Sequence, residues 1–250
     1  MNNFETSKIC VVIPTYNNAG TLQDVVERAL QFCKNVIVVN DGCTDTSADI
    51  LAPFGSKIIV VCYEKNRGKG FALKKGFEKA KQLGFDHAIT IDSDGQHFPE
   101  DIPLFINALD QHPNALIVGS RNLNEENMPG KNTFANKFSN FWFKIQTGVK
   151  LPDTQTGYRL YPLKNLPNLR FLTSRYEAEL ELLVGAAWRG VDLIPIKINV
   201  FYPKAEERVT HFRPFWDFLR ISVLNTFLCI LAMFYGLPSR LIRRARRLHD

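Results

Sequence analysis

The sequence predicts an α/β fold in which a mostly parallel central sheet carries helices on both faces. Two observations lead to this prediction. Short apolar runs of four or five residues alternate, over the first half of the chain, with longer segments whose apolar residues recur at helical spacing. Each apolar run also stops at a polar turn that contains Gly, Pro, Asn or Asp, as strands do.

The predicted elements follow one another in strand–helix order. The predicted strands cover residues 9–13, 36–39, 58–62, 88–91 and 115–118. The first helix begins at Thr21, where Thr21 and Asp24 resemble a capping box, and further helices cover 47–51, 70–83 and 99–111. Beyond these, the pattern predicts helices over 133–146 and 176–188 and a late strand over 192–202.

Length and composition limit the class of protein. A chain of 250 residues holds one large domain, or one domain with an appendage. With 45% hydrophobic and 22% charged residues, the composition excludes a disordered protein. The five cysteines form no CxxC pair, which indicates reduced thiols in a cytoplasmic protein without a zinc site or a disulfide framework. The polar first eight residues carry no secretory signal.

The C-terminal segment differs from the rest of the chain. We expect a catalytic domain over residues 1–212 and a membrane-associating segment over 213–250. Residues 221–238 carry no charge, and residues 239–250 carry five arginines and one aspartate, which is +4 of the net charge of +6. An apolar helix followed by arginines favours attachment to the cytoplasmic face of a membrane over nucleic-acid binding. A helix packed on its own domain or on another subunit is the alternative, and the oligomeric state stays open.

Polar residues follow the predicted strands directly. The segments are Pro14-Thr15-Tyr16, Asn40-Asp41-Gly42, Asp92-Ser93-Asp94 and Ser120-Arg121. Because ligands of such sheets bind at the carboxyl ends of the strands, we expect these segments to converge on one site.

Asp92, Asp94 and Gln96 occupy alternating positions after the fourth strand. In an extended chain, residues i and i+2 point to the same side, so these side chains present oxygen atoms to one point. Oxygen ligands suit Mg²⁺ or Mn²⁺, and two close carboxylates need a cation or a proton between them. The pattern predicts a metal site; the alternative is an ordinary acidic turn.

Four more residues are candidates for binding a nucleotide or its phosphates. Asp41 is suited to accept hydrogen bonds from a base or ribose, unless it only caps a turn. Lys69 lies in Asn66-Arg67-Gly68-Lys69-Gly70, which opens a helix and suits an anion. Arg121 and Arg159 suit bidentate contact with phosphate, and the alternative for each is a structural ion pair.

Together, these segments resemble the family-2 glycosyltransferases, and in particular the branch that contains dolichyl-phosphate mannose and dolichyl-phosphate glucose synthases. The matching segments occur in the family's order and cover residues 12–17, 40–45, 66–70, 92–96, 119–121 and 153–159. The resemblance implies a GT-A fold and an inverting transfer of a hexose from a UDP- or GDP-sugar to a lipid acceptor, with polyprenyl phosphate favoured.

The resemblance also implies roles for individual residues. The nucleotide pocket would be lined by Pro14 and Tyr16, with Asp41 on the base and Lys69 and Asp92 at the donor. Asp92, Asp94 and Gln96 would hold Mg²⁺ or Mn²⁺. Asp94, Arg121 and Arg159 would act at the reacting phosphates, and Arg208 would close over the diphosphate unless it belongs to a basic patch on the membrane surface.

The sequence departs from the family pattern in two ways. Asn18 and Asn40 stand where the family usually has acidic residues, which removes negative charge from the nucleotide pocket. No clear motif supplies a general base: Glu177 and Glu179 are candidates, but we expect them to be surface charges of a helix or partners of arginines. A phosphate acceptor needs no base, whereas a hydroxyl acceptor does.

Three other functions stay open on the sequence alone. The first is transfer to a hydroxyl of another lipid or glycan. A sugar nucleotidyltransferase is disfavoured because no glycine-rich loop follows the first strand. A non-catalytic nucleotide-sugar binding protein is disfavoured by the intact Asp92 and Asp94 pair.

Overall fold

The computed structural model describes residues 8–121, 130–164, 166, 173–175, 177–201, 214–239 and 241–242. In chain order, the strands are β1 (Ile9–Thr15), β2 (Val36–Asn40), β3 (Ile59–Cys62), β4 (His87–Thr90), β5 (Leu116–Ser120), β6 (Arg159–Pro162) and β7 (Leu193–Lys197). The helices are α1 (Ala19–Phe32), α2 (Ser47–Leu51), α3 (Lys69–Gln82), α4 (Ile102–Gln111), α5 (Gly130–Thr147), α6 (Glu177–Trp188) and α7 (Pro214–Leu231). A π-helical segment (Ala232–Gly236) continues α7, and short 3₁₀ turns cover Ala52–Lys57 and Pro99–Asp101.

The strands form one sheet in the order β3-β2-β1-β4-β6-β5-β7. Strands β1 to β4 pair in parallel, and so do β5 and β7, whereas β6 is antiparallel to both β4 and β5. The predicted mostly parallel sheet is therefore confirmed. The sequence reading missed β6, because a four-residue strand that begins with Arg159 and ends with Pro162 lacks the usual strand composition.

Helices cover both faces of the sheet, which creates two cores. In β1, Cys10 and Val12 point into the core that contains α3, α5 and α6, while Val11 and Ile13 point into the core that contains α1 and α4. Because both faces are buried, β1 reads as a continuous apolar run instead of an alternating one.

Two boundaries correct the sequence reading. Strand β1 continues through Pro14 to Thr15, and α1 begins at Ala19, with Asn18 preceding it. The predicted capping box at Thr21 and Asp24 is wrong, since Thr21 lies inside the helix. The Thr21 hydroxyl instead donates to the carbonyl oxygen of Ser93 at 2.6 Å, so the first helix is fastened to the loop after β4.

Helix α7 packs on the body of the molecule with one face only. Leu224, Leu228 and Ala232 are buried in the same core as α5 and α6. The helix from Leu219 to Ser239, with a mean hydropathy of 1.8, is long and apolar enough to cross a membrane, and only 28% of it is buried. The opposite face of this helix therefore exposes apolar side chains to the surroundings.

Candidate active site at the carboxyl ends of the strands

The register of the parallel strands brings the polar turns together. Thr15 of β1 lies opposite Asn40 of β2, and Val12 lies opposite Thr90 of β4. The Asn18 side-chain amide donates to the Ser93 hydroxyl at 2.9 Å, which joins the turn after β1 to the turn after β4. The predicted convergence of these segments is confirmed.

The turns after β1 and β2 are held by a pair of reciprocal bonds. Asn17 adopts a left-handed backbone conformation, with φ at 53°. Its side chain donates to the Thr44 hydroxyl at 3.1 Å and accepts from the Thr44 N–H at 2.8 Å. Asn40 accepts from the Cys43 N–H at 2.8 Å. A positive φ at a non-glycine residue is tolerated only where the surroundings fix it, which is common at functional sites.

Asp41 anchors the loop that precedes α3. Its carboxylate accepts bonds from the Asn66 side chain at 3.0 Å, the Arg67 N–H at 2.7 Å and the Gly68 N–H at 2.9 Å. The side chain is buried and both of its oxygens are bonded to protein. This placement disagrees with a direct contact between Asp41 and a nucleobase, and corresponds to the turn-anchoring alternative.

Lys69 bridges two carboxylates below the site. Its ammonium lies 2.8 Å from Asp92 Oδ1 and 2.9 Å from Glu179 Oε2. Burial alone would lower the pKa of Lys69, but the two carboxylates outweigh burial and hold the pKa above its ordinary value. Lys69 is therefore a fixed cation inside the site, and its predicted role at the donor has to act through Asp92.

Asp92 and Asp94 lie on one loop but differ in their charge balance. Burial opposes ionisation of Asp92, yet the adjacent Lys69 ammonium offsets burial and keeps the pKa of Asp92 below its ordinary value. Burial, and then the negative charge of Asp92, raise the pKa of Asp94 to about 6. Asp94 accepts from the Gln96 N–H at 3.0 Å, a weaker compensation than an ion pair. Asp94 is thus the carboxylate in need of a further cation.

Gly157 lies against the charged cluster formed by Lys69, Asp92 and Glu179. A Cβ atom on Gly157 would lie 2.7 Å from both Asp92 Oδ2 and Lys69 Nζ, and 3.0 Å from Glu179 Oε1. The Gly157 carbonyl accepts from the Thr90 hydroxyl at 2.6 Å, which fixes this backbone against β4. Only glycine leaves room for the charged cluster at this position.

Arg121 and Asp153 form a two-pronged ion pair at the end of β5. Arg121 Nε donates to Asp153 Oδ2 at 2.6 Å, and Nη2 donates to Oδ1 at 3.0 Å. The Asp153 side chain is fully buried, and the guanidinium holds its pKa below the ordinary value against the effect of burial. This is the structural ion pair that the sequence left as the alternative for Arg121.

Arg159 lies in the interior instead of at the surface of the site. It is fully buried, and its guanidinium donates to the carbonyl oxygens of Glu179 at 2.7 Å and Thr154 at 2.9 Å. The predicted contact of Arg159 with a phosphate disagrees with this placement, because strand β6, which the sequence reading missed, turns the side chain into the core. The residue connects β6 to α6.

The two candidate bases on α6 are buried. The expectation that they are surface charges of a helix is therefore wrong. Glu177 and Glu179 are 7% and 6% exposed. Glu179 pairs with Lys69 and not with an arginine through its side chain. A carboxylate that already neutralises a buried ammonium is poorly suited to accept a proton from an acceptor hydroxyl.

The remaining predicted residues fall into three groups. Pro14 is buried within β1, whereas Tyr16 is half-buried just beyond the strand end, where it can line a pocket. Gln96 is half-buried beside Asp94, and its backbone carbonyl accepts from the Phe201 N–H at 2.8 Å. Arg208 lies outside the described residues, as do the arginines near the C-terminus.

A family model shows which proteins share this arrangement. Residues 10–164 match the model of glycosyl transferase family 2. The chain belongs to glycosyl transferase family 2. The match includes β1 to β6 and every strand end of the candidate site, so the predicted enzyme class, an inverting glycosyltransferase, is confirmed.

Relatives of this glycosyltransferase carry names from the expected branch. The UDP-N-acetylglucosamine–dolichyl-phosphate N-acetylglucosaminyltransferase of Methanococcus voltae is 29% identical over 215 residues, which is 78% of this chain and 86% of that protein. The polyprenol monophosphomannose synthase of Mycolicibacterium smegmatis is 31% identical over 165 residues, which is 62% of each chain. These names confirm the resemblance to the polyprenyl-phosphate branch.

Solved structures confirm the GT-A fold of the glycosyltransferase. The glucosyl-3-phosphoglycerate synthase of Mycobacterium tuberculosis, crystallised with Mn²⁺ and UDP, superposes with a TM-score of 0.63 at 18% identity. The superposition covers 90% of this chain and 79% of that chain. At this identity the likeness concerns the fold alone.

The described residues fit a divalent cation that a substrate helps to bind. Within them, no cluster of three or more His, Cys, Asp or Glu side chains could enclose a metal. Asp94 supplies an undercompensated carboxylate and Gln96 an amide, while Asp92 is already paired with Lys69. Mg²⁺ commonly binds one or two carboxylates and completes its shell with substrate phosphates and water. The donor set therefore suits Mg²⁺ or Mn²⁺ together with a diphosphate.

Three contacts that shape the site were not predicted from the sequence. Glu179 pairs with Lys69, Ser93 is held by Asn18 and Thr21, and Gly157 leaves room for the cluster. A signal for Gly157 was present, since the segment 153–159 was a motif. The contact of Lys69 with Glu179 joins positions more than a hundred residues apart, and no local pattern encodes it.

Proposed function

We propose that the protein transfers a hexose, with inversion, from a UDP- or GDP-sugar to a polyprenyl phosphate at the cytoplasmic face of a membrane. The observation that carries the proposal is the geometry of the loop after β4, where the Lys69 ammonium lies 2.8 Å from Asp92 while Asp94 accepts from the Gln96 N–H at 3.0 Å. Lys69 balances the first carboxylate, and within the part of the chain that the structure describes the second has no comparable partner. A site built in this way is suited to a cation that arrives together with an anionic donor.

In this proposal, Asp94 and Gln96 hold Mg²⁺ or Mn²⁺, with Asp92 beside them. The cation, when bound, neutralises the charge that develops on the departing nucleoside diphosphate. Asp94 would fix the position of the cation, and Lys69 keeps Asp92 ionised and in place. Tyr16 lines the pocket for the nucleotide, whereas Asp41 acts one step away by fixing the loop that leads to Lys69.

The acceptor in this proposal is a phosphate monoester. Its oxygen is already ionised at neutral pH, so the attack on the sugar needs no general base. Glu179, a candidate base, is engaged by Lys69. The names of the relatives from Methanococcus voltae and Mycolicibacterium smegmatis, which include dolichyl phosphate and polyprenol, support this acceptor class.

The membrane part of the proposal rests on α7. Its outer face exposes Val223, Met233 and Phe234 at 63%, 62% and 80%. Apolar side chains of this size in water are unfavourable unless a partner covers them. A lipid bilayer that also holds the acceptor is such a partner.

A donor and acceptor screen tests the proposal. Purified chain is incubated with UDP-, GDP- and dTDP-hexoses, Mg²⁺ or Mn²⁺, and either a polyprenyl phosphate or the corresponding polyprenol. We expect release of nucleoside diphosphate and formation of a polyprenyl-phosphate sugar only with the phosphate acceptor. Release of pyrophosphate would indicate a nucleotidyltransferase, and equal transfer to the alcohol would overturn the phosphate acceptor.

A further inference from the structure

The outer face of α5 carries exposed apolar side chains among lysines. Phe141 and Ile145 are 57% and 45% exposed, and Lys137 and Lys144 are exposed beside them. These four residues lie at helical spacing, so they share one face. Trp142 is half-buried with its ring 5.5 Å from that of Phe141. Amphipathic rings, aliphatic side chains and lysines are the composition of a helix that lies in a membrane interface.

All charged residues of the α5 segment are basic. Residues 130–150 contain four lysines and no acidic residue. By sequence, residues 214–250 add six arginines and two aspartates, so these two segments together carry +8, against +6 for the whole chain. A surface that binds this face of α5 has to be anionic, to pair with the lysines, and also apolar, to cover the Phe and Ile side chains between them.

Helix α5 is in direct contact with α7. The Gln146 side-chain amide donates to Asn225 Oδ1 at 2.9 Å, and the Trp188 indole N–H donates to the Gln146 carbonyl at 2.8 Å. Phe143 of α5 and Leu228 of α7 are buried in the same core. The two helices, each with exposed apolar side chains, are therefore neighbours in the fold.

Buried polar side chains in the N-terminal half of α5 reach the candidate active site. The Asn136 side-chain amide donates to Asp153 Oδ1 at 2.7 Å, and the Ser139 and Thr154 hydroxyls share a hydrogen bond at 2.8 Å. Asp153 is the partner of Arg121 at the end of β5. One helix thus joins an exposed apolar and basic surface to the loop that borders the active site.

We propose that α5 is a second membrane-binding element, which lies in the interface of a bilayer containing anionic phospholipids beside α7. The proposal rests on the proposed function and specifies how that site meets its lipid acceptor. Phe141 and Ile145 enter the boundary of the acyl chains, while Lys137 and Lys144 contact lipid phosphates. Apolar burial and basic charge act together, as stable attachment to a membrane surface requires.

Vesicle flotation of the full chain tests this proposal. The partition coefficient is measured on phosphatidylcholine vesicles and on an equimolar mixture of phosphatidylcholine and phosphatidylglycerol. Phe141→Ser/Ile145→Ser is expected to weaken binding to the mixed vesicles by about tenfold or more, since each buried apolar side chain contributes substantially. Lys137→Gln/Lys144→Gln is expected to weaken binding about tenfold on mixed vesicles and to leave binding to neutral vesicles unchanged.

Matched controls use exposed residues on other elements. Leu83→Ser/Leu104→Ser removes apolar side chains of similar exposure, at 44% and 41%, and Lys57→Gln/Lys197→Gln removes two exposed charges. Both controls should partition like the unmodified chain. Binding of the α5 variants within twofold of the unmodified chain, or an equal loss in the controls, would overturn the proposal.

A second measurement separates this proposal from the proposed function. All variants are assayed in detergent for release of nucleoside diphosphate with a short-chain prenyl phosphate, where no bilayer is needed. The α5 variants should keep full turnover there, and a loss in detergent equal to the loss on vesicles would assign α5 a structural role instead. If no chain turns over but the flotation differences persist, the proposed function fails and the membrane surface stands.

Discussion

Two aspartates on one loop have opposite roles because their neighbours differ. Lys69 lies within 3 Å of Asp92, whereas Asp94 accepts a hydrogen bond from the backbone N–H of Gln96. The pKa of Asp94, raised to about 6, means that the folded chain has to ionise a partly buried carboxyl beside another negative charge. The site therefore stores unfavourable energy that a bound cation would relieve.

Asp94→Asn is expected to stabilise the metal-free protein while it abolishes transfer. The unfolded chain releases this proton near pH 4 and the folded chain near pH 6, so the ionised carboxylate destabilises the fold above about pH 6. The destabilisation fades as the pH falls from 6 to 4 and is absent below pH 4. Urea unfolding should show a gain of about 1–3 kcal/mol at pH 7.5 and none at pH 3.5.

The exposed Asp110, on α4, gives the matched control for this substitution. Asp110→Asn should change neither stability nor turnover. A loss of stability in Asp94→Asn at pH 7.5, or retention of metal-dependent turnover within threefold, would contradict the assigned role of Asp94. The second outcome would also remove Asp94 from the proposed cation site.

Lys69→Met is expected to destabilise the protein by about 3–5 kcal/mol, since it leaves Asp92 and Glu179 buried without their counter-ion. The double variant Lys69→Met/Glu179→Gln removes one of the two stranded charges and should recover part of that loss. A urea-denaturation cycle of the single and double variants measures the coupling. Additive losses would show that Glu179 does not act through Lys69.

An exposed ion pair serves as the reference for this cycle. Lys75 and Glu78 lie 2.8 Å apart with both side chains about 40% exposed. Because solvent screens such a pair, Lys75→Met should cost less than about 1 kcal/mol. The contrast separates the effect of a buried counter-ion from that of any lost lysine.

Gly157→Ala is expected to destabilise the protein by about 1–3 kcal/mol, because the new methyl group would meet Lys69 and Asp92 at 2.7 Å. Turnover should fall with it, as the cluster has to move. The control is Gly185→Ala in α6, where the nearest atom is 3.8 Å from the new Cβ and alanine favours the helix. Equal thermal melting of both variants would show that the cluster tolerates the displacement.

At the scale of single residues, the sequence predicted which residues carry the chemistry better than it predicted which residues contact each other. The Asp92 and Asp94 pair was readable because a strand alternates its side chains and the acidic residues follow at i and i+2. The partner of Lys69 could not be predicted, because α3 and α6 are far apart in the sequence and only the tertiary fold brings them together. Arg159 was misassigned for the same reason: its position on β6 decides that it points inward.

Elements that carry their own periodic pattern were predicted closely, and those defined by their neighbours were not. Helix α3 was expected at 70–83 and lies at Lys69–Gln82, since its apolar residues recur at helical spacing. Strand β6 exists because β4 and β5 present free edges to it, and its own four residues contain little strand signal. Tertiary pairing overrode local propensity there.

One small residue allows the π-helical end of α7 to approach α6. A Cβ atom on Gly236 would overlap the indole ring of Trp188. Gly236→Ala should therefore force the π-helical end of α7 away from Trp188 and reduce stability by about 1–3 kcal/mol, with a change in the near-UV circular dichroism of tryptophan. Gly20→Ala on α1, with nothing within 4 Å, is the control. An unchanged tryptophan signal would argue against this packing.

The whole molecule is divided by charge and polarity. The strand ends gather Asp41, Asp92 and Asp94, whereas in the sequence the excess positive charge belongs to α5 and to residues 239–250. The proposed boundary between residues 212 and 213 remains a prediction. The inner face of α7, however, is part of the main core through Leu224 and Leu228, so truncation before α7 would expose that core.

Substitution of the outer face of α7 tests membrane attachment without removing its inner face. Val223→Ser/Met233→Ser/Phe234→Ser replaces three side chains that are more than 60% exposed, so folding stability should change by less than about 1 kcal/mol. In detergent-free fractionation, the unmodified chain should sediment with membranes, and the triple variant should shift to the soluble fraction. Leu83→Ser/Leu104→Ser should stay with the membranes. A triple variant that remains membrane-bound and melts at the unmodified temperature would contradict the role of these three side chains in membrane attachment, because the fold would be intact and the lost apolar surface would not have mattered.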